Sequence, residues 1–194
     1  MTNLLQNNVA LVTGGGSKLG RRVALMLANE GASLVINDSQ SHSEVDGSSA
    51  SRADVVVDDV RLQGGNAFAC YDDMSRFGDG SNVINKAIDA FGRLDILVNC
   101  PTAQHKSAPL TTDPGNFHHV IQTNVKGTFV AIRHASVIFR KQRSGRIVNF
   151  TSDAGLGECL DASHAAASEA IVGMTRTIAR DLGKYGVTCN AVSE

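Results

Sequence analysis

Short apolar runs alternate with amphipathic stretches along almost the whole 194-residue chain, and this alternation constrains the fold more than any other feature. The apolar runs lie at 9–12, 34–36, 67–70, 96–98 and 147–150, and the amphipathic stretches lie at 21–29, 53–62, 83–91, 116–143 and 162–182. Runs that are apolar throughout are typical of strands buried on both faces, as in a parallel sheet. The pattern therefore predicts an α/β fold, a doubly wound parallel sheet between two layers of helices.

Turn residues support these boundaries. Gly-Gly at 64–65, Gly92 and Gly186 each follow a helical stretch, where a left-handed C-cap is expected. The stretch 39–51 is polar and rich in serine, and we interpret it as a loop because apolar periodicity resumes directly after it. Since domains usually hold about 100 to 200 residues, residues 1–194 are predicted to form one domain.

Composition excludes several kinds of protein. The formal net charge is -1, so the chain has no broad basic field to drive binding to nucleic acid or to a membrane surface. No apolar run approaches the roughly 20 residues that span a bilayer, and the N-terminus lacks a signal-peptide pattern, so we expect a cytoplasmic protein. The cysteines are scattered singly, which predicts reduced, mostly buried thiols and no metal site: Cys70, Cys100, Cys159 and Cys189.

A glycine-rich turn follows the first predicted strand. Residues 13–20 read Thr-Gly-Gly-Gly-Ser-Lys-Leu-Gly, and a helix is predicted directly afterwards. Glycines let the backbone approach a pyrophosphate, and the helix N-terminus attracts the anion. Asp38 ends the second strand about 20 residues later, where a carboxylate accepts hydrogen bonds from ribose hydroxyls and repels a 2′-phosphate. Together they predict a dinucleotide site that prefers NAD to NADP; alternatively, Asp38 only caps the loop after its strand.

These residues, with others further along, resemble the pattern of the short-chain dehydrogenase/reductase family. The matching positions, in order, are Gly14 to Gly20, Asp38, Asp73-Met74-Ser75, Val98-Asn99, Asn124 and Ser152, and the resemblance covers essentially the whole chain. It implies a Rossmann fold with a cofactor site made of Gly14, Lys18, Leu19 and Gly20 at the pyrophosphate, Asp38 at the adenosine ribose, Asp73 and Met74 beside the adenine, and Asn99 near the ribose. The stretch 37–74 most resembles the hydroxyacyl-CoA dehydrogenase domain of peroxisomal multifunctional enzymes, which implies an acyl-CoA setting.

The chain departs from the family pattern at the cofactor site. Lys18 stands where the family has glycine, so its side chain either weakens cofactor binding or rebuilds it with an ion pair. After Asn99 the family continues Asn-Ala-Gly, whereas this chain reads Cys100-Pro101-Thr102, which changes the floor of the site. We therefore expect NAD binding that is weakened or absent.

A larger departure concerns catalysis. Family members remove the substrate proton with the tyrosine of a Tyr-x-x-x-Lys motif, whose lysine lowers the phenol pKa from its usual value of about 10. His164 and Ser168 occupy these two positions here, and the chain's two tyrosines, Tyr71 and Tyr185, lie on other predicted elements. The site is therefore expected to be inactive, although an imidazole at 164 is chemically able to act as the base instead.

Asn124 and Ser152 match the family's two remaining catalytic positions. The resemblance implies that they hold a water chain and polarise a substrate oxygen. Each also has a purely structural interpretation, in which Asn124 satisfies backbone groups at a helix distortion and Ser152 caps the end of a strand.

The end of the chain and two of its helices bear on assembly. Residues 187–194 resemble the family's sixth strand, so we expect the usual last strand and the lid over the substrate to be lacking. The stretches 116–143 and 162–182 are apolar on more than one face, which a single sheet contact does not bury. In the resembled family these helices form a dimer interface, so we expect an oligomer, with an active paralogue as the partner.

Three functional hypotheses follow. The first is a catalytically degenerate subunit, the structural or regulatory partner of an active NAD-dependent hydroxyacyl-CoA dehydrogenase. The second is an active NAD-dependent oxidoreductase that interconverts a hydroxyl and a ketone with His164 as the base. The third is a binding protein that senses a dinucleotide without chemistry. The replaced tyrosine and lysine favour the first.

Overall fold

The computed structural model describes residues 3–39, 51–101 and 103–193. Within these ranges six strands form one sheet: β1 (Val9–Thr13), β2 (Ser33–Asn37), β3 (Ala67–Cys70), β4 (Ile96–Asn99), β5 (Gly145–Thr151) and β6 (Val187–Ser193). Six α-helices of the described chain accompany them: α1 (Lys18–Asn29), α2 (Arg52–Leu62), α3 (Phe77–Phe91), α4 (Pro114–Val120), α5 (Gly127–Gln142) and α6 (Ala162–Gly183). Most of the predicted loop at 39–51, together with Thr102 and Glu194, lies outside the described residues.

The topology of the sheet confirms the predicted fold. Every described strand pair is parallel, and the spatial order is β3-β2-β1-β4-β5-β6, the order of doubly wound dinucleotide-binding sheets. The order reverses direction between β1 and β4, where Thr13 lies beside Asn99 in the register. Ligands of such sheets bind outside the carboxyl ends of the strands at this point. A ligand site is therefore expected beside the residues that follow β1, β2 and β4.

Each face of the sheet carries its own apolar core. Alternate residues of a strand point to opposite faces, so Leu11 and Leu97 belong to one core, and Val12 and Val98 to the other. Helices α3, α5 and α6 close the first core, in which Phe139 of α5 is fully buried. Helices α1 and α2 close the second. Because helices cover both faces, the central strands are apolar throughout.

Two helices begin earlier than the sequence pattern predicts. Helix α1 begins at Lys18 because Ser17 caps it, with its Oγ accepting a hydrogen bond from the Gly20 N–H at 3.0 Å. Helix α3 begins at Phe77 rather than at 83, and glycines in its first turns obscure the apolar periodicity. One of them, Gly80, allows close packing of α3 on α5, since a methyl group there would lie 2.3 Å from Val130 Cγ1.

The predicted helix at 116–143 is divided into three parts. Asp113 caps α4, because its carboxylate accepts a hydrogen bond from the Asn116 N–H at 3.1 Å. A π-helical segment, Ile121–Lys126, joins α4 to α5 and carries Asn124. Since π-helical turns are rare and often occur at functional sites, this distortion supports Asn124 as a candidate functional residue.

The predicted helix ends and thiols also match the structure. Gly92 (φ 76°) and Gly186 (φ 75°) adopt the left-handed conformation after α3 and α6. Three of the four cysteines are buried free thiols, and Cys159 is exposed. In the part of the chain that the structure describes, no helix is long and apolar enough to cross a membrane.

Candidate active site

The glycine-rich turn between β1 and α1 depends on its glycines. Gly14 has a left-handed backbone, with a φ of 60°. At Gly20 a methyl group would lie 2.3 Å from the Gly14 carbonyl oxygen, so α1 packs against the turn without room for a side chain. Ser17 fastens the turn, because its Oγ donates to the Gly14 carbonyl at 2.7 Å. The result is a tight turn that leads directly into a helix N-terminus, the geometry that binds phosphate in dinucleotide folds.

Asp38, directly after β2, is tied to this turn. Its Oδ2 accepts a hydrogen bond from the Gly16 N–H at 3.0 Å. A methyl group at Gly16 would lie 2.7 Å from the same oxygen and 2.4 Å from Arg52 Cβ, so β2, the start of α2 and the turn meet here. The contact agrees with the capping interpretation of Asp38. Asp38 also lines the cavity described below, and its predicted contact with the ribose stays a prediction.

Lys18 stands at the family's glycine position and is the first residue of α1, with an exposed side chain. Its backbone is helical, so a lysine causes no strain there. Its ammonium forms no ion pair with any described residue. Leu19, the next residue, packs on the core beneath α1. The positive charge of Lys18, next to the glycine-rich turn, is therefore not neutralised by an ion pair with any described residue.

A cavity opens beside the glycine turn at the carboxyl ends of the central strands. It is lined by Thr13, Gly14, Asn37, Asp38, Ser39, Asp73, Met74, Ser75, Cys100, Pro101, Thr123, Gly127 and Thr128. The structure thus brings together Gly14, Asp38, Asp73 and Met74, which the sequence separates widely. Asp73 shapes the far wall, since its Oδ1 accepts a hydrogen bond from the Ser75 N–H at 2.9 Å. The cavity lies where the resemblance places the adenosine half of a dinucleotide.

A chain of buried polar side chains crosses the strand ends next to this cavity. The Thr13 hydroxyl donates to Asn99 Oδ1 at 3.0 Å, and Asn99 Nδ2 donates to Asn149 Oδ1 at 2.8 Å. Asn149 Nδ2 in turn donates to the Thr175 hydroxyl at 2.9 Å. Networks that satisfy every member rigidify a site. Asn99 therefore holds β1, β4 and β5 together, and its predicted position near the ribose stays a prediction.

Asn124 lies in the π-helical segment and is 1% exposed. Its Oδ1 accepts a hydrogen bond from the Ala103 N–H at 3.0 Å, and its Nδ2 donates to the Ala103 carbonyl at 2.7 Å. The pair fastens the loop after β4 to the helix distortion. The side chain thus makes the backbone contacts of the structural interpretation, while the residue also borders the cavity described next.

A smaller cavity, of about 20 Å³, collects the four predicted catalytic positions. Its lining is Pro101, Asn124, Phe150, Thr151, Ser152, His164, Ala167, Ser168 and Ile171. Ser152 follows β5 and caps a short 3₁₀ helix, Asp153–Leu156, because its Oγ accepts a hydrogen bond from the Ala154 N–H at 3.2 Å. His164 Nδ1 is buried and finds no hydrogen-bond partner among the described residues. The space suits one water-sized group.

Comparison with known proteins establishes the family. A model of the short chain dehydrogenase family matches residues 8–193. The chain belongs to the short-chain dehydrogenase family. Peroxisomal multifunctional enzyme type 2 of Drosophila melanogaster is 37% identical over 185 residues, which make up 95% of this chain and 30% of that protein. The chain therefore spans less than a third of the length of that relative.

Two further likenesses cover more of the matched protein. The BbsD subunit of a hydroxy(phenyl)methylsuccinyl-CoA dehydrogenase from Thauera aromatica is 34% identical over 189 residues, 97% of this chain and 73% of that one. The crystal structure of an NAD+-bound xylitol dehydrogenase superposes with a TM-score of 0.90 at 28% identity, over 98% of this chain and 70% of that one.

The described lining of the small cavity contains no tyrosine. Tyr71 follows the edge strand β3 and donates a hydrogen bond to Asp54 at 2.6 Å. Tyr185 follows α6, and the Lys184 ammonium lies 5.4 Å from its ring centroid. Neither tyrosine borders the small cavity, and its described lining contains no lysine. Ser168, which is 2% exposed, stands at the position of the lysine in the family's Tyr-x-x-x-Lys motif, so a hydroxyl replaces that lysine's ammonium.

Sequence reasoning missed Asp161, which directly precedes α6 and is 0% exposed. Its Oδ2 accepts a hydrogen bond from Gln104 Nε2 at 2.7 Å, and its Oδ1 has no partner among the described residues. The Ser107 N–H donates to the Leu160 carbonyl at 2.7 Å beside it. The loop after β4 and the loop before α6 are therefore joined to each other by hydrogen bonds. An acidic residue one helical turn before the motif position was the available signal.

Burial sets the pKa of Cys189, the thiol that contacts Asn149. It raises the pKa of Cys189 to about 11, because the charged form would lose its hydration. Cys189 Sγ accepts a hydrogen bond from Asn149 Nδ2 at 3.5 Å. Burial likewise raises the pKa of Cys70 to about 11. Both thiols are therefore neutral near pH 7 and are not nucleophiles.

Proposed function

We propose that this chain is a catalytically degenerate short-chain dehydrogenase subunit. It serves as the structural or regulatory partner of an active NAD-dependent hydroxyacyl(-CoA) dehydrogenase in a hetero-oligomer. The observation that carries the proposal is the lining of the small cavity, where His164 and Ser168 stand while Tyr71 and Tyr185 are engaged on other elements.

The chemistry of the family requires more than this cavity offers. Oxidation of a carbinol needs a base that takes the hydroxyl proton as the hydride leaves, and NAD, when bound, accepts the hydride. The Ser168 hydroxyl is short and neutral, so it supplies no cation to lower the pKa of a neighbouring acid. The amide of Asn124 is already bonded to Ala103. These residues keep the scaffold of a dehydrogenase site without its proton acceptor.

The cofactor site keeps its framework, which supports a residual affinity for NAD. At Gly16 and Gly20 a methyl group would collide with the neighbouring chain, so the turn retains the close packing that a pyrophosphate site requires. The α1 N-terminus would hold the pyrophosphate, and Asp38 the ribose hydroxyls. Lys18 adds bulk where the backbone has to approach the ligand. Binding weaker than that of a glycine-bearing relative is the expected result.

A groove between α5 and α6 supports the proposed partner. Its volume is about 450 Å³, and it is lined by Phe129, Ile132, Arg133, Ser136, Val137, Arg140, Ile178, Asp181, Leu182, Lys184 and Tyr185. Phe129 is 42% exposed and Val137 is 36% exposed, an apolar surface with a charged rim. Such patches are typical of protein–protein interfaces. The groove lies on the two helical stretches that the sequence singled out for assembly.

Relatives support the substrate class. The Thauera aromatica protein is named as a subunit of a CoA dehydrogenase, and the relative from Drosophila melanogaster is a peroxisomal multifunctional enzyme. A hydroxyacyl or ketoacyl thioester is therefore the substrate proposed for the complex, with the chemistry carried out by the partner.

The proposal is tested by co-expressing the chain with an active paralogue from the same genome and titrating NADH into the chain alone and into the complex. We expect a stoichiometric complex that oxidises a hydroxyacyl-CoA, and weak or absent NADH binding by the chain alone. Turnover by the isolated chain would overturn the proposal. Tight NADH binding without turnover by the isolated chain would favour a dinucleotide sensor.

A second candidate function is an active oxidoreductase with His164 as the base. The observation that favours it is the buried, unpartnered Nδ1 of His164 in a cavity that Ser152 also lines. An imidazole accepts protons near neutral pH without the help of a lysine. This function requires turnover that disappears in a His164→Ala variant.

A further inference from the structure

Two buried side-chain atoms in the described chain lack a hydrogen-bond partner: Asp161 Oδ1 and His164 Nδ1. Both lie at the start of α6, beside the catalytic position. Unpaired buried polar atoms are rare in folded proteins, because such an atom loses its hydrogen bonds to water and gains none in return. Their occurrence together in one helical turn therefore requires a physical explanation.

The helix places the two residues so that they can satisfy each other. Asp161 is the N-cap residue of α6 and His164 is its third helical residue, two positions whose side chains meet at a helix N-terminus in a capping box. Asp161 is fixed, because Gln104 Nε2 holds its other oxygen at 2.7 Å. His164 has no such restraint on Nδ1, so rotation of its side chain is the motion that joins the pair.

The lysine that interacts electrostatically with this carboxylate is paired with a different acid. Lys106 lies on the same loop as Gln104, but its ammonium pairs with Glu158 at 2.5 Å on the exposed side. Asp161 itself makes no ion pair with any described lysine, arginine or histidine. The other buried and unsatisfied side-chain atom of the described residues is His164 Nδ1. It lies beyond ion-pair distance of Asp161, so a rotation of the His164 side chain is needed to join the two.

We propose that Asp161 is a positioning residue for His164. Its Oδ1 accepts a hydrogen bond from His164 Nδ1–H and fixes the imidazole in that tautomer. The other nitrogen, Nε2, then presents its lone pair to the small cavity beside Ser152. Buried carboxylates orient histidines in the same way in Ser-His-Asp sites. One carboxylate would thus join the loop after β4, through Gln104, to the residue at the tyrosine position.

The pairing defines the chemical class of group that the cavity recognises. A histidine held as the Nδ1–H tautomer offers an acceptor at Nε2, and the Ser152 hydroxyl both donates and accepts. The cavity then suits an alcohol hydroxyl, which donates a hydrogen bond, in preference to a bare carbonyl oxygen. The pairing does not depend on turnover, so it applies to a non-catalytic subunit as well as to an enzyme.

The test is the tautomer of His164, read by long-range proton–nitrogen NMR on the full chain labelled with ¹⁵N-histidine and assigned with a His164→Gln variant. The wild type is expected to hold His164 mainly as the Nδ1–H form. Asp161→Ala removes the acceptor and should abolish that preference. Asp161→Asn should retain it, because the amide oxygen still accepts. Asp153→Ala, an exposed acid in the 3₁₀ helix, serves as the matched control and should change nothing.

An Nε2–H form in the wild type would overturn the proposal without any variant, so a failure of Asp161→Ala to fold leaves the test intact. An unchanged tautomer in a folded Asp161→Ala chain would overturn it equally. The measurement uses neither a partner nor a substrate. Its failure is therefore distinguishable from failure of the proposed subunit function.

Discussion

At the scale of single residues, Lys18 decides how closely a dinucleotide approaches the turn. Replacing it with glycine removes bulk at the first position of α1, and we expect NADH affinity to rise about tenfold, or about 1.4 kcal/mol. Calorimetric titration measures the change. Lys18→Met, which keeps the bulk and removes the charge, is the control and should bring no gain. A fall in affinity in Lys18→Gly would show instead that the ammonium pairs with the pyrophosphate.

A second residue, Asp54, gives the stability of the chain a pH dependence. The hydrogen bond from the Tyr71 hydroxyl lowers the pKa of Asp54 below its usual value. The folded state then binds fewer protons than the unfolded state, so the contribution is present above the ordinary pKa and is lost as the pH falls through the lowered one. Tyr71→Phe should therefore flatten the acid side of a urea-midpoint profile below about pH 4. Tyr185→Phe is the control, and equal profiles for the two variants would contradict the assignment.

Sequence reasoning located residues whose chemistry depends on local spacing. Gly14 and Asp38 follow directly after β1 and β2, so their meeting at one sheet edge was predictable from the parallel order. Asp161 was not predictable, because its burial arises from a loop that begins far away in the sequence at Gln104. The role of Asn149 was not predicted for a similar reason, since its hydrogen-bond partners lie on β4 and α6.

At the scale of elements, the packing of α1 on its turn rests on Gly20. In Gly20→Ala the new methyl group would lie 2.3 Å from a backbone oxygen, which cannot move aside cheaply, so we expect a loss of about 1–3 kcal/mol in the free energy of unfolding. Gly173→Ala is the matched control, because that site in α6 meets no atom within 4 Å. It should gain about 0.5–1 kcal/mol from helix propensity. Denaturant unfolding separates the two, and equal stabilities would contradict the packing account.

Element boundaries show where periodicity stops being informative. The start of α3 at Phe77 was missed because Gly78 and Gly80 interrupt the apolar pattern that periodicity needs. Periodicity alone did not divide 116–143, because a π-helical segment changes the apolar spacing only slightly; the structural interpretation of Asn124 did place a helix distortion there. The segment is accompanied by a tertiary contact, the pair of hydrogen bonds between Asn124 and the Ala103 backbone.

At the scale of the whole molecule, the groove between α5 and α6 is the proposed contact with a partner. Phe129→Asp places a charge in that apolar surface, and we expect the complex with the active paralogue to dissociate at concentrations where the wild type is assembled. Leu62→Asp is the control, since that side chain is 86% exposed on α2. Sedimentation velocity measures both. An intact Phe129→Asp complex would place the interface elsewhere.

The architecture of the whole chain was predictable, because buried parallel strands and their helices follow from apolar patterning alone. Assembly depends on surfaces that match a second chain, and one sequence carries no information about that chain. The same holds for activity, which the sequence approached only through the identity of residues at two motif positions, His164 and Ser168.

The most direct test of a non-catalytic subunit is the turnover of the assembled complex carrying His164→Ala. A working general base contributes roughly 100-fold or more to the rate, so its removal would be unmistakable. We predict turnover within about twofold of the wild-type complex, with activity lost only when the partner's catalytic tyrosine is replaced by phenylalanine. A loss of about 100-fold or more in the His164→Ala complex, with assembly intact, would show that this chain itself carries out catalysis.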